Sequence, residues 1–188
     1  MTAAAPATMK GSGFNSFIAA TKATLSATEL AAVTAALPAS TAALLHHPPL
    51  TVAQVPIADY LAFSEALIEH GFAGDDRRMR DIARIQLRND LNGIYRLFIR
   101  LASPDFIIER AGQVYATYWR NNGHLRAEKI APTTCHVIYE EVVGAKSYFW
   151  QAQCGAIQSA LEACGAKNVS VEIDHASATA ARMVAKWT

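Results

Sequence analysis

The hydrophobic periodicity of this chain changes character at Gly123, and that change limits the architectures open to it. Upstream, apolar residues recur at helical spacing. A first helix is expected over about Phe14–Lys22. A second follows Ser26, with Glu29 three positions on, the spacing in which each side chain satisfies the other's free backbone amide. It should stop near Leu37-Pro38, and a short helix over Ser40–Leu45 should follow. His46-His47-Pro48-Pro49 then makes a stiff connection, because proline removes donors and excludes helix from the residue before it. Val55-Pro56 introduces a helix over Ile57–Gly71, with Gly71 as a left-handed cap. An amphipathic helix is expected from Asp75 or Asp76 to Leu101. Ser103-Pro104, a cap followed by proline at the first helical position, opens another to Asn121, and Asn121-Asn122-Gly123 closes it.

Downstream of Gly123 the apolar residues alternate. His124–Ile130 and Thr134–Val142 read as strands around a turn at Ala131-Pro132-Thr133. A helix over Tyr148–Cys164 ends at Gly165. Val169–Ile173 and Ala181–Trp187 alternate again, joined by the small residues Ala176–Thr179. The fold class is therefore α+β: an N-terminal helical layer packed on an antiparallel sheet, with C-terminal strand-strand-helix-strand-strand order. At 188 residues the chain suits one domain, 14–188, preceded by a flexible, Ala-, Thr-, Ser- and Gly-rich tail over 1–13. Neither a secretory signal nor a membrane span is expected, since polar residues and prolines interrupt every apolar stretch. Three cysteines without a CxxC pair point to a reducing, cytoplasmic setting. Seventeen basic against 16 acidic residues, a net charge of +1, argues against a nucleic-acid partner.

The last third carries a resemblance. Trp119-Arg120-Asn121-Asn122-Gly123, the two strands after it, the helix ending Leu161-Glu162-Ala163-Cys164-Gly165-Ala166, and Asn168-Val169-Ser170-Val171-Glu172 resemble a bacterial family of uncharacterised proteins. That family is similar to 4-vinyl reductase-type small-molecule-binding domains, and more remotely to heme NO-binding domains and the small subunits of a vesicle-tethering transport particle. The resemblance implies a pocket between helices and sheet, and a homodimer. Those families commonly carry cysteines and a Gly-Asp turn around the end of the third strand. Asp174-His175-Ala176-Ser177-Ala178-Thr179-Ala180 has neither cysteine nor glycine, so no thiol-based metal or redox role is carried over.

Arg77, Arg80, Arg84 and Arg88 form one helical stripe. Arg96, Arg100, Arg110, Arg120 and Arg126 extend an arginine-rich stretch that could hold an acidic group. The plainer reading is a solvated face paired within its own helix, Asp81 with Arg84 or Arg77. His46 and His47 point apart, and His70, His124, His136 and His175 are isolated, although His124 and His136 could meet across the hairpin. Cys135 and His136, as strand neighbours, face opposite sides and form no dyad. Cys154 and Cys164 read as small core residues, and Gly144 to Ser147 lacks the glycine spacing of a phosphate loop. Either Glu140 or Glu141 points inward from its strand, which is weak ground for acid–base chemistry.

The aromatic residues of the middle and last third suit either packing or an apolar pocket with an arginine at its mouth. The reading adopted is a non-catalytic, small-molecule-binding or regulatory domain, its ligand apolar or amphipathic and acidic. Arg96, Arg100, Tyr115, Trp119 and Tyr139 are its candidate binding residues, and no metal or obligatory cofactor is assigned. Two rivals stand beside it: a heme-type sensor or small enzyme using His124 or His136, and a protein–protein adaptor without a ligand.

Overall fold

A computed structural model describes residues 5–91 and 102–188. Arg96 and Arg100 lie outside the described residues, as does the end of the helix expected to reach Leu101. The chain opens with strand β1 (Thr8–Lys10) and helix α1 (Gly11–Thr24). Helix α2 (Ala27–Ala36) starts as expected: Ser26 Oγ accepts from the Glu29 amide, and the Glu29 carboxylate accepts from the Ser26 amide. Helix α3 (Ala39–His46), strand β2 (Gln54–Pro56) and helix α4 (Ile57–Ala66) follow.

The helix expected to run to Gly71 changes at Leu67–Gly71 into a π-helical turn. Gly71 is not the left-handed cap. The reversal falls two residues later, at Ala73 (φ 50°) and Gly74 (φ 86°). A 3-10 turn, Asp76–Arg78, leads into helix α5 (Met79–Leu91). Helix α6 (Pro104–Tyr118) is capped by Ser103 and runs directly into strand β3 (Trp119–Arg120), three residues before the expected end.

The expected tail over 1–13 does not hold from Thr8 onward. Met9 pairs with Val55 on one side and Trp119 on the other, giving a small sheet of order β2-β1-β3, and it is 1% exposed. Gly11 sits so close to the loop before β2 that a Cβ there would lie 2.1 Å from Leu50 O. Small, polar composition signals flexibility only where no distant strand captures the backbone.

The larger sheet comprises β4 (His124–Ala131), β5 (Thr134–Glu140), β6 (Ser170–Ala176) and β7 (Ala181–Lys186) in the order β4-β5-β7-β6, every neighbour antiparallel. Helix α7 (Ser147–Ala163) connects the two hairpins, completing the expected strand-strand-helix-strand-strand order. The sheet's inner face buries Cys135, Val137, Tyr139, Val171, Ala181, Met183 and Ala185. Its outer face exposes Arg126, Glu128, Glu140, Arg182 and Lys186, the pattern of an antiparallel sheet with one wet side.

Helix α5 lies along α7, and α1 along α5, and the helices meet the sheet both through α7 and through α6, which packs on β4. Phe14, Phe17, Tyr60 and Phe63 knit α1 to α4, with Phe17 and Phe63 ring centroids 4.9 Å apart. No helix among the described residues is long and apolar enough to cross a membrane.

Candidate functional site

Tyr115, Trp119 and Tyr139 come together where α6, the small sheet and the larger sheet meet. Tyr115 lies 5.5 Å from Tyr139 and 6.3 Å from Trp119, measured between ring centroids. Tyr60, Phe149 and Trp150 complete the cluster, which puts Trp119 against Tyr60 at 5.1 Å and Phe149 at 5.4 Å. All six rings are buried. The Tyr115 hydroxyl donates to Asn122 O at 2.7 Å, and the Tyr139 hydroxyl donates to Gln153 Oε1 at 3.1 Å. Burial pushes the Tyr60 phenol up to about 12 and those of Tyr115 and Tyr139 above the usual tyrosine range, so all three stay neutral at physiological pH. As placed, these rings fill the centre of the molecule.

Three of the four arginines of the stripe pair outside their own helix. Arg80 crosses to α7 and β6, donating from Nε to Gln151 Oε1 at 2.6 Å and from Nη1 to Val171 O at 3.0 Å. Arg84 and Arg88 converge on Glu162 of α7, at 3.1 and 3.3 Å. Arg77 pairs with Asp75 at the exposed start of the segment. Arg80, Arg84 and Arg88 thus strap α5 to α7, a role their spacing did not reveal because the partners lie far along the chain.

Burial alone would raise the Glu162 carboxyl. Hydrogen bonds from Gln158 and Arg84, together with the Arg84 charge and a bond from Arg88, outweigh it and hold the group below the usual glutamate range. A depressed folded-state value means the stabilisation is present above the unfolded value, about 4.3, and is lost as pH falls through the folded one. Glu162→Gln should therefore cost about 1 kcal/mol at neutral pH, discounted for partial exposure. Paired urea titrations should show the gap between parent and variant shrinking below about pH 4.3.

A concave surface lies between α4, the π-helical turn and the start of α7. It has a volume of about 680 Å³ and is lined by Glu65, Ile68, Glu69, Ala73, Gly74, Lys146 and Tyr148. Glu65 Oε1 accepts from Lys146 Nζ at 2.5 Å and from the Tyr148 hydroxyl at 3.1 Å. The hydrogen bond from Lys146 is the main reason the Glu65 carboxyl sits below the usual range. A smaller depression of about 290 Å³, on Ala145, Ser147, Trp150, Ala176, Ser177 and Ala178, shares Lys146 as its border. Both open to solvent. Sequence reasoning missed this groove because its walls come from segments about 80 residues apart. The π-helical turn, a frequent companion of functional sites, had no signature in the apolar pattern.

None of the six histidines is buried. His124 is opposite Glu140 in the β4–β5 register and His136 is opposite Glu128, so the two do not meet across the hairpin. His124 Nε2 lies instead 3.4 Å from the Glu141 carboxylate. His136 alternates with the buried Cys135 and Val137 and so points to the outer face. No group of three or more His, Cys, Asp and Glu among the described residues is placed to hold a metal ion. Cys135, Cys154 and Cys164 are buried free thiols, pushed up to about 11 by that burial.

Set against solved structures, this architecture is similar to that of H-NOX (heme nitric oxide/oxygen binding) domains. The Fe(II) unliganded H-NOX protein from K. algicida matches with a TM-score of 0.70 at 11% identity, over 96% of this chain and 97% of that one. An oxygen-binding H-NOX domain related to soluble guanylate cyclases matches with a TM-score of 0.71 at 12% identity, over 96% of this chain and 95% of that one. An H-NOX structure used to probe the function of heme distortion gives 0.72 at 12% identity, with the same coverage. The remotest part of the sequence resemblance, to heme NO-binding domains, is therefore the part seen in the fold. No protein-family model matches the chain, and no curated protein is similar to it in sequence.

Proposed function

We propose that this chain is a sensor or ligand-binding domain in which occupancy by a small molecule biases a protein surface, with no catalytic step of its own. The observation that supports this reading most is the H-NOX-like architecture along 96% of the chain, in company with proteins described as oxygen-binding and heme-containing. The sequence resemblance to 4-vinyl reductase-type binding domains points the same way. The ligand class we assign is an amphipathic acid, with a homodimer as the acting unit.

Its seat is the groove beside Lys146. There Ile68, Ala73 and Gly74 offer apolar surface, and Lys146 offers a cation already holding a carboxylate, that of Glu65. An incoming acid takes the place of Glu65 on Lys146, releasing the tie between α4 and the start of α7. Tyr115, Trp119 and Tyr139 remain candidates through the buried aromatic cluster, not as part of the groove's lining. Arg96 and Arg100 remain candidates for a second contact to the acid.

Thermal unfolding against a panel of short-chain, aromatic and fatty acids tests this, alongside native mass spectrometry of the purified chain. At least one acid should raise the midpoint of the parent. Lys146→Ala should abolish that shift, and Arg182→Ala, on the opposite face of the sheet, should retain it. An empty monomer whose midpoint no member of the panel moves would leave the ligand-free adaptor as the better reading.

A further inference from the structure

A protein holds heme with an axial side chain presented from the interior, most often His, Cys thiolate, Met or Tyr, and an apolar slot for the macrocycle. The chain's own residues can be tested against both needs. His46, His47, His70, His124 and His175 are exposed, and His136 is half-buried on the outer face of the sheet. His70 and His124 stand beside Glu69 and Glu141, at 3.9 and 3.4 Å. No histidine is buried between the helical layer and the sheet.

Of the other ligand types, the cysteines and two of the buried tyrosines are already engaged. Cys154 packs its sulfur 3.6 Å from Met183, and burial pushes all three thiols up to about 11, away from the thiolate form. Tyr115 and Tyr139 spend their hydroxyls on Asn122 and Gln153.

Space gives the same answer. A flat macrocycle between two side chains needs them about 7 Å apart, twice an ordinary contact of 3.5 Å. In the aromatic cluster the ring centroids of Phe149 and Trp150 lie 5.1 Å apart, those of Trp119 and Phe149 5.4 Å, and those of Tyr139 and Trp150 5.6 Å. The rings meet mostly edge to face, so no two of these faces form a parallel slot.

We infer that the described residues of this H-NOX-like fold form no heme site, their aromatic cluster taking the space between helical layer and sheet. The inference stands apart from the acid-binding reading, because it concerns the interior and that reading concerns the groove at Lys146.

The test uses the full chain, once produced in cells supplied with a heme precursor and once titrated with hemin, each followed by desalting. The expected result is no Soret absorbance retained with the protein, and unquenched tryptophan fluorescence after desalting. Hemin adsorbed at surface histidines and lost on desalting agrees with the inference. One heme per chain surviving desalting overturns it, whichever side chain is the ligand. His124→Ala and His136→Ala then report whether either histidine binds the iron, through a shifted or lost Soret band. Retained heme with no acid response would defeat this inference and leave a heme sensor. An acid response without heme would uphold both proposals, and neither response would defeat the acid-binding reading alone.

Discussion

Gly155→Ala is expected to destabilise the protein by about 3 kcal/mol, lowering the unfolding midpoint by on the order of 6–12 °C. Helix propensity predicts the opposite sign. Gly155 lies inside α7, where alanine is better than glycine by roughly 1 kcal/mol. The decisive contact is backbone. A Cβ at Gly155 would sit 2.2 Å from Arg80 O and 2.8 Å from both Arg80 C and Cα, and none of these atoms can rotate away. The two helices must part, which also pulls Arg84 and Arg88 from Glu162 across the same contact. The acid-side change assigned to Glu162 should therefore weaken in Gly155→Ala. Urea unfolding with circular dichroism measures both effects. A variant as stable as the parent would show that α5 and α7 are not locked at this point.

How much of this could be seen in the chain beforehand depended on how far apart the interacting residues lie. The Ser26–Glu29 capping box is local, and both of its hydrogen bonds are present. The alternation within Thr134–Glu140 and Ala181–Lys186 also needs only neighbours, and it placed the strands of the larger sheet to within two residues except at the end of β6. The small sheet was invisible because Thr8–Lys10 and Gln54–Pro56 are too short for a period, and Met9 meets Val55 and Trp119 only after the chain has folded. The arginine spacing was plain, but Glu162, 78 positions from Arg84, was not a partner that helical spacing could suggest. The histidine pairing failed on register: His124 lies eight residues before Pro132 and His136 only four after it, so the hairpin sets His124 against Glu140. The same distance problem governs the candidate site. Tyr115, Trp119 and Tyr139 were recognisable as aromatics that gather. Whether they line a cavity or fill it was decided by Tyr60, Phe149 and Trp150, contributed by two other helices.

That filling can be undone on purpose, which makes Phe149→Ala the sharpest probe of the interior. Phe149 is fully buried, and its ring touches Tyr60, Trp119 and Trp150 at centroid distances of 6.3, 5.4 and 5.1 Å. Truncation removes the burial of one aromatic side chain and leaves a void that neighbours held from three directions cannot close. The expected loss is about 4 kcal/mol, within the usual range for a buried phenylalanine. An apolar void of this kind stays dry and accepts small aromatic molecules. Benzene or indole should therefore raise the unfolding midpoint of Phe149→Ala and leave that of the parent unchanged, with Trp119 and Trp150 reporting occupancy by fluorescence. A parent protein that responds to benzene as strongly as the variant would mean that the aromatic centre already contains space. A loss below about 1 kcal/mol would mean that the cluster relaxes around the missing ring, contrary to the close packing argued for it.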